Sequence, residues 1–124
     1  MADFVVQAQF RKILAGTAPL RDLTFAKEFR GLGGYRPGAA VPSLELTRRA
    51  VRRDRRAVPR TGERVPYVVV YGEPGLPLIQ LVRPPGDVVH GRGQLRPNAH
   101  YYITKVRALF FLYFFIILYF LNRS

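Results

Sequence analysis

Apolar side chains near the start of the chain recur at positions i, i+4, i+7 and i+8, which is the period of a helix. The residues that set this spacing and then end it are Val6, Phe10, Ile13, Leu14, Gly16 and Pro19. Leu23, Phe25 and Phe29 fall instead at even spacing around Lys27, so they predict a short, half-exposed strand. A glycine-rich loop is predicted next, from Gly31 to Gly38.

A second helix is predicted from Pro42, because proline suits the first helical turn and Ser43 is a typical N-cap. Its apolar side is formed by Leu44, Ala50 and Val51. Its arginines face mostly outward, and they are Arg48, Arg49, Arg52, Arg53, Arg55 and Arg56. Pro59 ends the helix, and the run of eight arginines continues to Arg64. The pattern therefore places a concentrated positive charge on one folded element.

Two apolar runs follow the arginines. Val65 to Tyr71 is rich in β-branched and aromatic residues, and Leu78 to Val82 is a second, shorter run. The turn residues between them are Gly72, Pro74, Gly75 and Pro77. We therefore expect a small antiparallel ribbon, with Val65 to Val70 in the core, and then a loop from Arg83 to Pro97.

A final helix is predicted to begin at Asn98 and to run into an apolar tail. Ala108 to Leu121 is an unbroken apolar run of fourteen residues, flanked by Arg107 and Arg123. As a helix this run spans about 21 Å, which is less than the ~30 Å hydrocarbon thickness of a bilayer. The run alone therefore does not predict a transmembrane helix. Membrane association or aggregation is the expected consequence of leaving it uncovered.

The composition predicts a polyanionic partner, which is either nucleic acid or an anionic membrane surface. The 124 residues allow one small domain, with a formal charge of +12 and a pI near 11.1. Seventeen of the twenty basic residues are arginine, whose planar fork matches phosphate, although GC-rich coding sequence gives the same bias. There is no cysteine, so no disulfide or thiolate metal site exists in this sequence. The N-terminus has no secretory pattern, so an intracellular protein is expected.

Five separated motifs carry a resemblance to a known family. They are LTFAKEFRG from Leu23, YRPGAAVP from Tyr35, the arginine-rich stretch from Ser43 to Tyr71, GLPLIQLVRP from Gly75 and NAHYYITK from Asn98. In this order they resemble the thumb region of family B DNA polymerases, most closely the zeta, or translesion, branch. The resemblance covers about residues 4 to 105. It implies an α+β thumb subdomain over residues 1–105, with helices and a short antiparallel β-ribbon, followed by an unrelated apolar helix over residues 106–124.

The resemblance also implies a function and a location. In the family the thumb grips the primer–template duplex through its phosphates and packs on the palm, and the parent enzyme synthesises DNA past lesions in the nucleus. The first group of expected DNA-binding residues matches the FAKEFRG and YRPG motifs, and it consists of Lys27, Arg30, Tyr35 and Arg36. The second group lies on the arginine helix, and it consists of Arg48, Arg49, Arg52 and Arg53. A solvated helix face is the alternative for these side chains.

No catalytic constellation is apparent in the sequence. The family's Asp-Thr-Asp motif, which holds Mg²⁺ in the palm, is missing, and so are its zinc and iron–sulfur cysteines. We therefore expect no cofactor and no catalysis in this chain alone. His90 and His100 lack partners at ligand spacing. The competing prediction is a small basic membrane-associated protein, anchored by residues 108–121 with its arginine helix on anionic lipid.

Overall fold

The structure, a computed structural model, describes residues 2–90 and 95–123, with side chains from residue 7 onward except at residue 9. Its helices are α1 (Ala2–Ala15), α2 (Pro42–Arg53), α3 (Pro85–Val89) and α4 (Ala99–Arg123). Its strands are β1 (Phe25–Glu28), β2 (Arg64–Val69) and β3 (Val82–Arg83), with 3₁₀ turns at Leu20–Leu23 and Leu78–Gln80. The chain divides into two compact units, of which one contains α1 and α4 and the other is residues 20–97. The α+β class predicted from the sequence is confirmed.

A three-stranded antiparallel sheet organises residues 20–97, with β2 in the middle. On one side Phe25 pairs with Tyr67, and their rings lie 5.4 Å apart. On the other side Val69 pairs with Val82, and a bridge joins Val70 to Pro97. The predicted ribbon therefore has a third strand, because the LTFAKEF segment adds to the free edge of β2.

The core of this unit lies between the sheet and α2. Helix α2 contacts all three strands, and it buries Leu44, Leu46 and Thr47. Tyr67, Val68 and Val69 of β2 are buried, and so is Val70 directly after the strand, so both faces of β2 are covered. Phe29, just beyond β1, is 1% exposed. The core prediction holds for Tyr67 to Val70, whereas Val65 is half-buried and Pro66 is exposed.

The boundaries of α2 differ from the prediction at both ends. The N-cap is Val41, which makes no side-chain cap, and Ser43 lies fully buried inside the first turn. The predicted N-cap role of Ser43 is therefore wrong. At the other end the helix stops at Arg53, since Asp54 is extended and its Oδ1 accepts the N–H of Arg56 at 2.9 Å. This local bond gives the backbone an alternative to another helical turn.

The segment after β2 is less regular than predicted. Most of the run from Leu78 to Val82 forms a 3₁₀ turn, and only Val82 and Arg83 pair as a strand. Pro84 and Pro85 have no N–H to donate, so β3 cannot extend as a ladder. Pro85 instead begins α3, a five-residue helix inside the predicted loop. Residues 91–94 of that loop lie outside the described residues.

In the other unit α1 packs against α4. Helix α1 ends at Gly16, whose φ of 70° suits glycine, as the sequence predicted. Phe10 lies under the guanidinium of Arg107, 5.4 Å from its ring centre, but Leu14 is 69% exposed and does not join the predicted apolar stripe. The side chain of Val6 lies outside the described residues. Asn98 caps α4, because its Oδ1 accepts the N–H of Tyr101 at 3.1 Å.

Candidate nucleic-acid interface

Three of the four residues in the first predicted group line one cleft. Lys27 on β1, Arg30 just after it and Tyr35 in the next loop surround a cleft of about 460 Å³, here called the Lys27 cleft. Its other lining residues are Glu28, Ala40, Val41 and Pro42. Arg36 is exposed on the same loop but does not line this cleft. Because the side chains of Lys27 and Arg30 are exposed, a phosphate can reach both cations.

The hydroxyl of Tyr35 holds the Lys27 cleft together. It accepts the backbone N–H of Arg30 at 2.9 Å and lies 3.0 Å from the Oγ of Ser43 and 3.3 Å from the carbonyl oxygen of Glu28. The hydroxyl of Ser43 also donates to the carbonyl of Glu28, at 3.3 Å. These bonds join the end of β1, the loop and the start of α2. Tyr35 therefore fixes the backbone from which the side chain of Arg30 projects.

Glycine shapes the loop beside the cleft. A Cβ added at Gly34 would overlap the carbonyl group of Arg30, so only glycine fits this approach. The N–H of Gly34 donates to Gly31 at 3.1 Å, and Gly31 has a φ of 86°. The loop is thus a tight turn packed on the backbone of Arg30.

The second predicted group divides into two kinds of arginine. Arg48, Arg52 and Arg53 are exposed on α2. Arg49 is half-buried, and its guanidinium donates to the carbonyls of Val82 at 2.8 Å and Ile79 at 3.1 Å. Its Nε also donates to Glu45 at 3.1 Å. Arg49 therefore ties α2 to the segment before β3.

A second cleft lies between the C-terminal half of α2 and the segment around β3 and α3. It has a volume of about 560 Å³, and we call it the Arg83 cleft. Its charged lining residues are Glu45, Arg49, Arg52, Arg53, Arg83 and Asp87. It brings together three members of the second predicted group with one arginine that is distant in sequence.

Arg83 is the site residue that the sequence analysis missed. Its Nη1 donates to the carbonyls of Gln80 at 2.9 Å and Val82 at 2.7 Å. Burial lowers the pKa of Arg83, the nearby charge of Arg49 lowers it further, and Asp87 acts in the opposite direction. In the sequence, Arg83 is one basic residue before two prolines, so only the fold relates it to α2.

The described residues show no constellation for metal chemistry. Within residues 2–90 and 95–123, no group of three or more histidine, aspartate or glutamate side chains lies close enough to hold an ion, and the sequence has no cysteine.

Helix α4 is long and apolar. It has 25 residues and a mean hydropathy of 1.8 in its membrane-like stretch, so by length and composition it is able to cross a membrane. At 1.5 Å per residue the whole helix measures about 37 Å, longer than the apolar run alone. From Leu109 to Leu121 its described side chains are largely exposed, on every face of the helix.

Comparison with known proteins gives one consistent match. Residues 2–110 match DNA polymerase family B. Over 100 residues the chain is 59% identical to the DNA polymerase zeta catalytic subunit of Mus musculus, and over an alignment of the same length it is 58% identical to that of Homo sapiens. Each alignment covers 81% of this chain and 3% of the relative. The subunit of Drosophila melanogaster is 59% identical over 97 residues, which cover 78% of this chain and 4% of the relative.

The chain thus spans only a few hundredths of the length of the curated relatives that it matches. The match includes both clefts and all of the sequence motifs between Leu23 and Lys105. It extends to residue 110, which lies inside α4.

Proposed function

The chain belongs to DNA polymerase family B, with the zeta type as its branch, and on that premise we propose that residues 1–105 act as a thumb region that grips duplex DNA. The observation that supports this function is a pair of basic clefts that both adjoin α2. The Lys27 cleft meets the helix at Pro42 and takes its cations from Lys27 on β1 and Arg30 just beyond it. The Arg83 cleft takes three of its arginines from α2, so the packed unit presents cations at two separate places.

The charge distribution favours phosphate as the ligand. Fifteen of the twenty basic residues lie between residues 20 and 97, against seven acidic ones. Cations on a rigid frame hold a duplex by its backbone without reading its bases. A polymerase thumb needs this property, because it must hold every sequence that the enzyme copies.

Within this proposal the residues have different roles. Lys27, Arg30, Arg36 and Arg48 contact phosphates, since their side chains are exposed. Tyr35 and Arg49 act through the fold, because their polar atoms already hold backbone and side-chain partners. Arg52 and Arg53 line the Arg83 cleft.

The catalytic step belongs outside these residues in the proposal. The relatives are catalytic subunits of DNA polymerase zeta, and for the whole protein we propose the DNA-directed translesion synthesis that the resemblance implies, in the nucleus. The metal-binding aspartate motif of the palm is absent from this sequence, so the chain alone binds duplex without extending a primer.

The test is duplex binding by the full chain in a non-ionic detergent, which covers the exposed apolar helix. Fluorescence anisotropy of a labelled primer–template duplex is measured from low to moderate salt. The test variant carries Lys27→Gln, Arg30→Gln and Arg48→Gln. We expect its affinity to fall by at least about tenfold and its salt dependence to become shallower, because fewer counterions are released on binding.

The matched control removes the same charge elsewhere, by Arg11→Gln, Lys12→Gln and Arg21→Gln, which are all exposed. The control should lose far less affinity than the test variant. Equal losses would mean that only net charge matters, and a folded chain without any duplex binding would refute the thumb function.

A second candidate function is membrane association, which the exposure of α4 favours. The run from Ala108 to Leu121 is apolar on all faces of the helix. Arg107 and Arg123 flank its two ends. A helix of this kind is stable within hydrocarbon or inside a larger protein core. Flotation of the chain with neutral and anionic liposomes tests this candidate, which fails when the protein stays in the dense fraction with both.

A further inference from the structure

The Arg83 cleft is a pre-formed structure. Arg49 fastens its two walls together, because one guanidinium spans from Glu45 on α2 to the carbonyls of Ile79 and Val82. Arg83 is oriented in turn by its own bonds to the carbonyls of Gln80 and Val82. A ligand that enters this cleft therefore meets one guanidinium, that of Arg83, which is already oriented, and this lowers the entropy lost on binding.

The charges of the cleft do not balance. Four arginines line it against two carboxylates, and the Glu45 carboxylate is already 3.1 Å from Arg49. Arg52, Arg53 and Arg83 therefore face Asp87 as the remaining acidic side chain in the lining. Burial lowers the pKa of Arg83, the nearby charge of Arg49 lowers it further, and Asp87 raises it. An anion in the cleft would relieve this repulsion.

The donor type indicates which anion fits. Guanidinium groups are planar forks that match the oxygens of phosphate in pairs, and several forks converge on this cleft. The volume of about 560 Å³ accommodates a phosphate group with part of the molecule that carries it.

We propose that the Arg83 cleft is a distinct phosphate-binding site, in which Arg52, Arg53 and Arg83 hold one phosphate group. This inference rests on the proposed function only in its choice of a nucleic-acid phosphate as one source. The group is either a phosphodiester of bound duplex or a free diphosphate, and both offer the same oxygens to the arginines. The site lies along α2 from Glu45 to Arg53, whereas the Lys27 cleft meets the helix at Pro42.

The experiment measures arginine protection in the full chain in non-ionic detergent. Phenylglyoxal modifies exposed guanidinium groups, and peptide mass spectrometry after digestion with a protease that does not cut at arginine gives a rate for each site. One arm adds inorganic pyrophosphate, and the other adds a short DNA duplex. We expect Arg53 and Arg83 to react at least about fivefold more slowly with one of these probes, while Arg21 keeps its rate.

Variants give a second readout. Arg53→Gln should weaken binding of the protecting probe by about tenfold, and Arg21→Gln, the matched loss of one exposed arginine, should weaken it by less than about threefold. Arg83→Gln should act like Arg53→Gln. Since Arg83 also bonds to backbone carbonyls, the exposed Arg53 decides the question when Arg83→Gln unfolds the chain.

The outcomes separate this inference from the thumb function. Duplex binding without protection of Arg53 and Arg83 overturns the phosphate site and leaves the thumb function intact. Protection by pyrophosphate in a chain that does not bind duplex supports the site with a free diphosphate as its ligand, and it refutes the thumb function. Lack of protection by either probe overturns the site.

Discussion

Residues 20–97 and helix α4 differ in the exposure of their apolar side chains. In residues 20–97, Phe29, Val69 and Val82 are almost completely buried between α2 and the sheet. In α4, the described side chains from Leu109 to Leu121 are mostly exposed, as Phe115 is at 64%. Residues 20–97 bury their apolar surface against one another, whereas α4 leaves its apolar surface exposed to water, which is unfavourable.

The two proposed functions depend on different regions, namely the basic clefts and the apolar surface of α4. Both basic clefts lie within the packed unit, so their cations rest on a frame that resists deformation. Helix α4 contributes no arginine to either cleft, and its apolar surface suits hydrocarbon or another protein. The basic clefts and the apolar surface therefore lie on separate elements, so the two proposed functions are open to separate tests.

The largest effect is expected from emptying the packed core. Phe29→Ala removes a ring that is 1% exposed, so it should lower the free energy of unfolding of residues 20–97 by about 3–5 kcal/mol. Hydrogen exchange followed by mass spectrometry measures this loss for the amides of β2. The matched change in the exposed apolar run of α4, Phe115→Ala, should alter the free energy of unfolding by no more than about 0.5 kcal/mol. Equal effects of the two changes would contradict the contrast between the regions.

The elements that the sequence predicted correctly are those that local pattern determines. Val65 to Val69 lies within β2, as its β-branched and aromatic residues predict, and Asn98 caps a helix that runs through the apolar tail. Gly16 ends α1 where its positive φ is needed. In each case the signal lies within a few residues of the element that it specifies.

The failures come from contacts that are distant in sequence. Ser43 has the residue type of an N-cap, but its hydroxyl is bonded to Tyr35 and to the carbonyl of Glu28, fifteen residues earlier. In the sequence Arg49 cannot be distinguished from its exposed neighbours. Its guanidinium is half-buried because it donates to the carbonyls of Val82 and Ile79, which are distant in the sequence. The Arg83 cleft could not be predicted, because α2 and β3 meet only in the folded chain.

The next largest effect is expected from a charge placed in the exposed apolar run of α4. Phe115→Lys places a charge in the middle of the apolar run, and a lysine at the centre of a membrane helix costs about 2.5–3.5 kcal/mol. If α4 enters bilayers, flotation with liposomes should fall by about a hundredfold. Val89→Lys, at an apolar side chain equally exposed but within residues 20–97, should leave flotation unchanged. Unchanged flotation by Phe115→Lys would assign liposome binding to the basic surface.

A smaller effect should distinguish two neighbouring arginines within the packed region. Arg49→Gln removes the donors to two backbone carbonyls and the partner of Glu45, so we expect a loss of about 2–3 kcal/mol in the free energy of unfolding. Arg48→Gln, at an exposed position on the same helix, should stay within about 0.5 kcal/mol. Urea unfolding measures both values. For duplex affinity, measured on the folded variants, the order should reverse. Arg48→Gln should weaken binding more than Arg49→Gln does, because Arg48 is the residue proposed to contact phosphate directly.

The smallest effect concerns the hydroxyl that organises the Lys27 cleft. Tyr35→Phe leaves the N–H of Arg30 without its acceptor at a partly exposed position, so the loss should be about 1 kcal/mol. Ser43 keeps its bond to Glu28, which limits the damage to the loop. Arg36→Gln on the same loop removes a cation without removing any of these bonds, so it should reduce duplex affinity without reducing stability. If Tyr35→Phe instead reduces affinity at full stability, the hydroxyl contacts the duplex directly, and the packed region then holds its ligand through the same atoms that hold its fold.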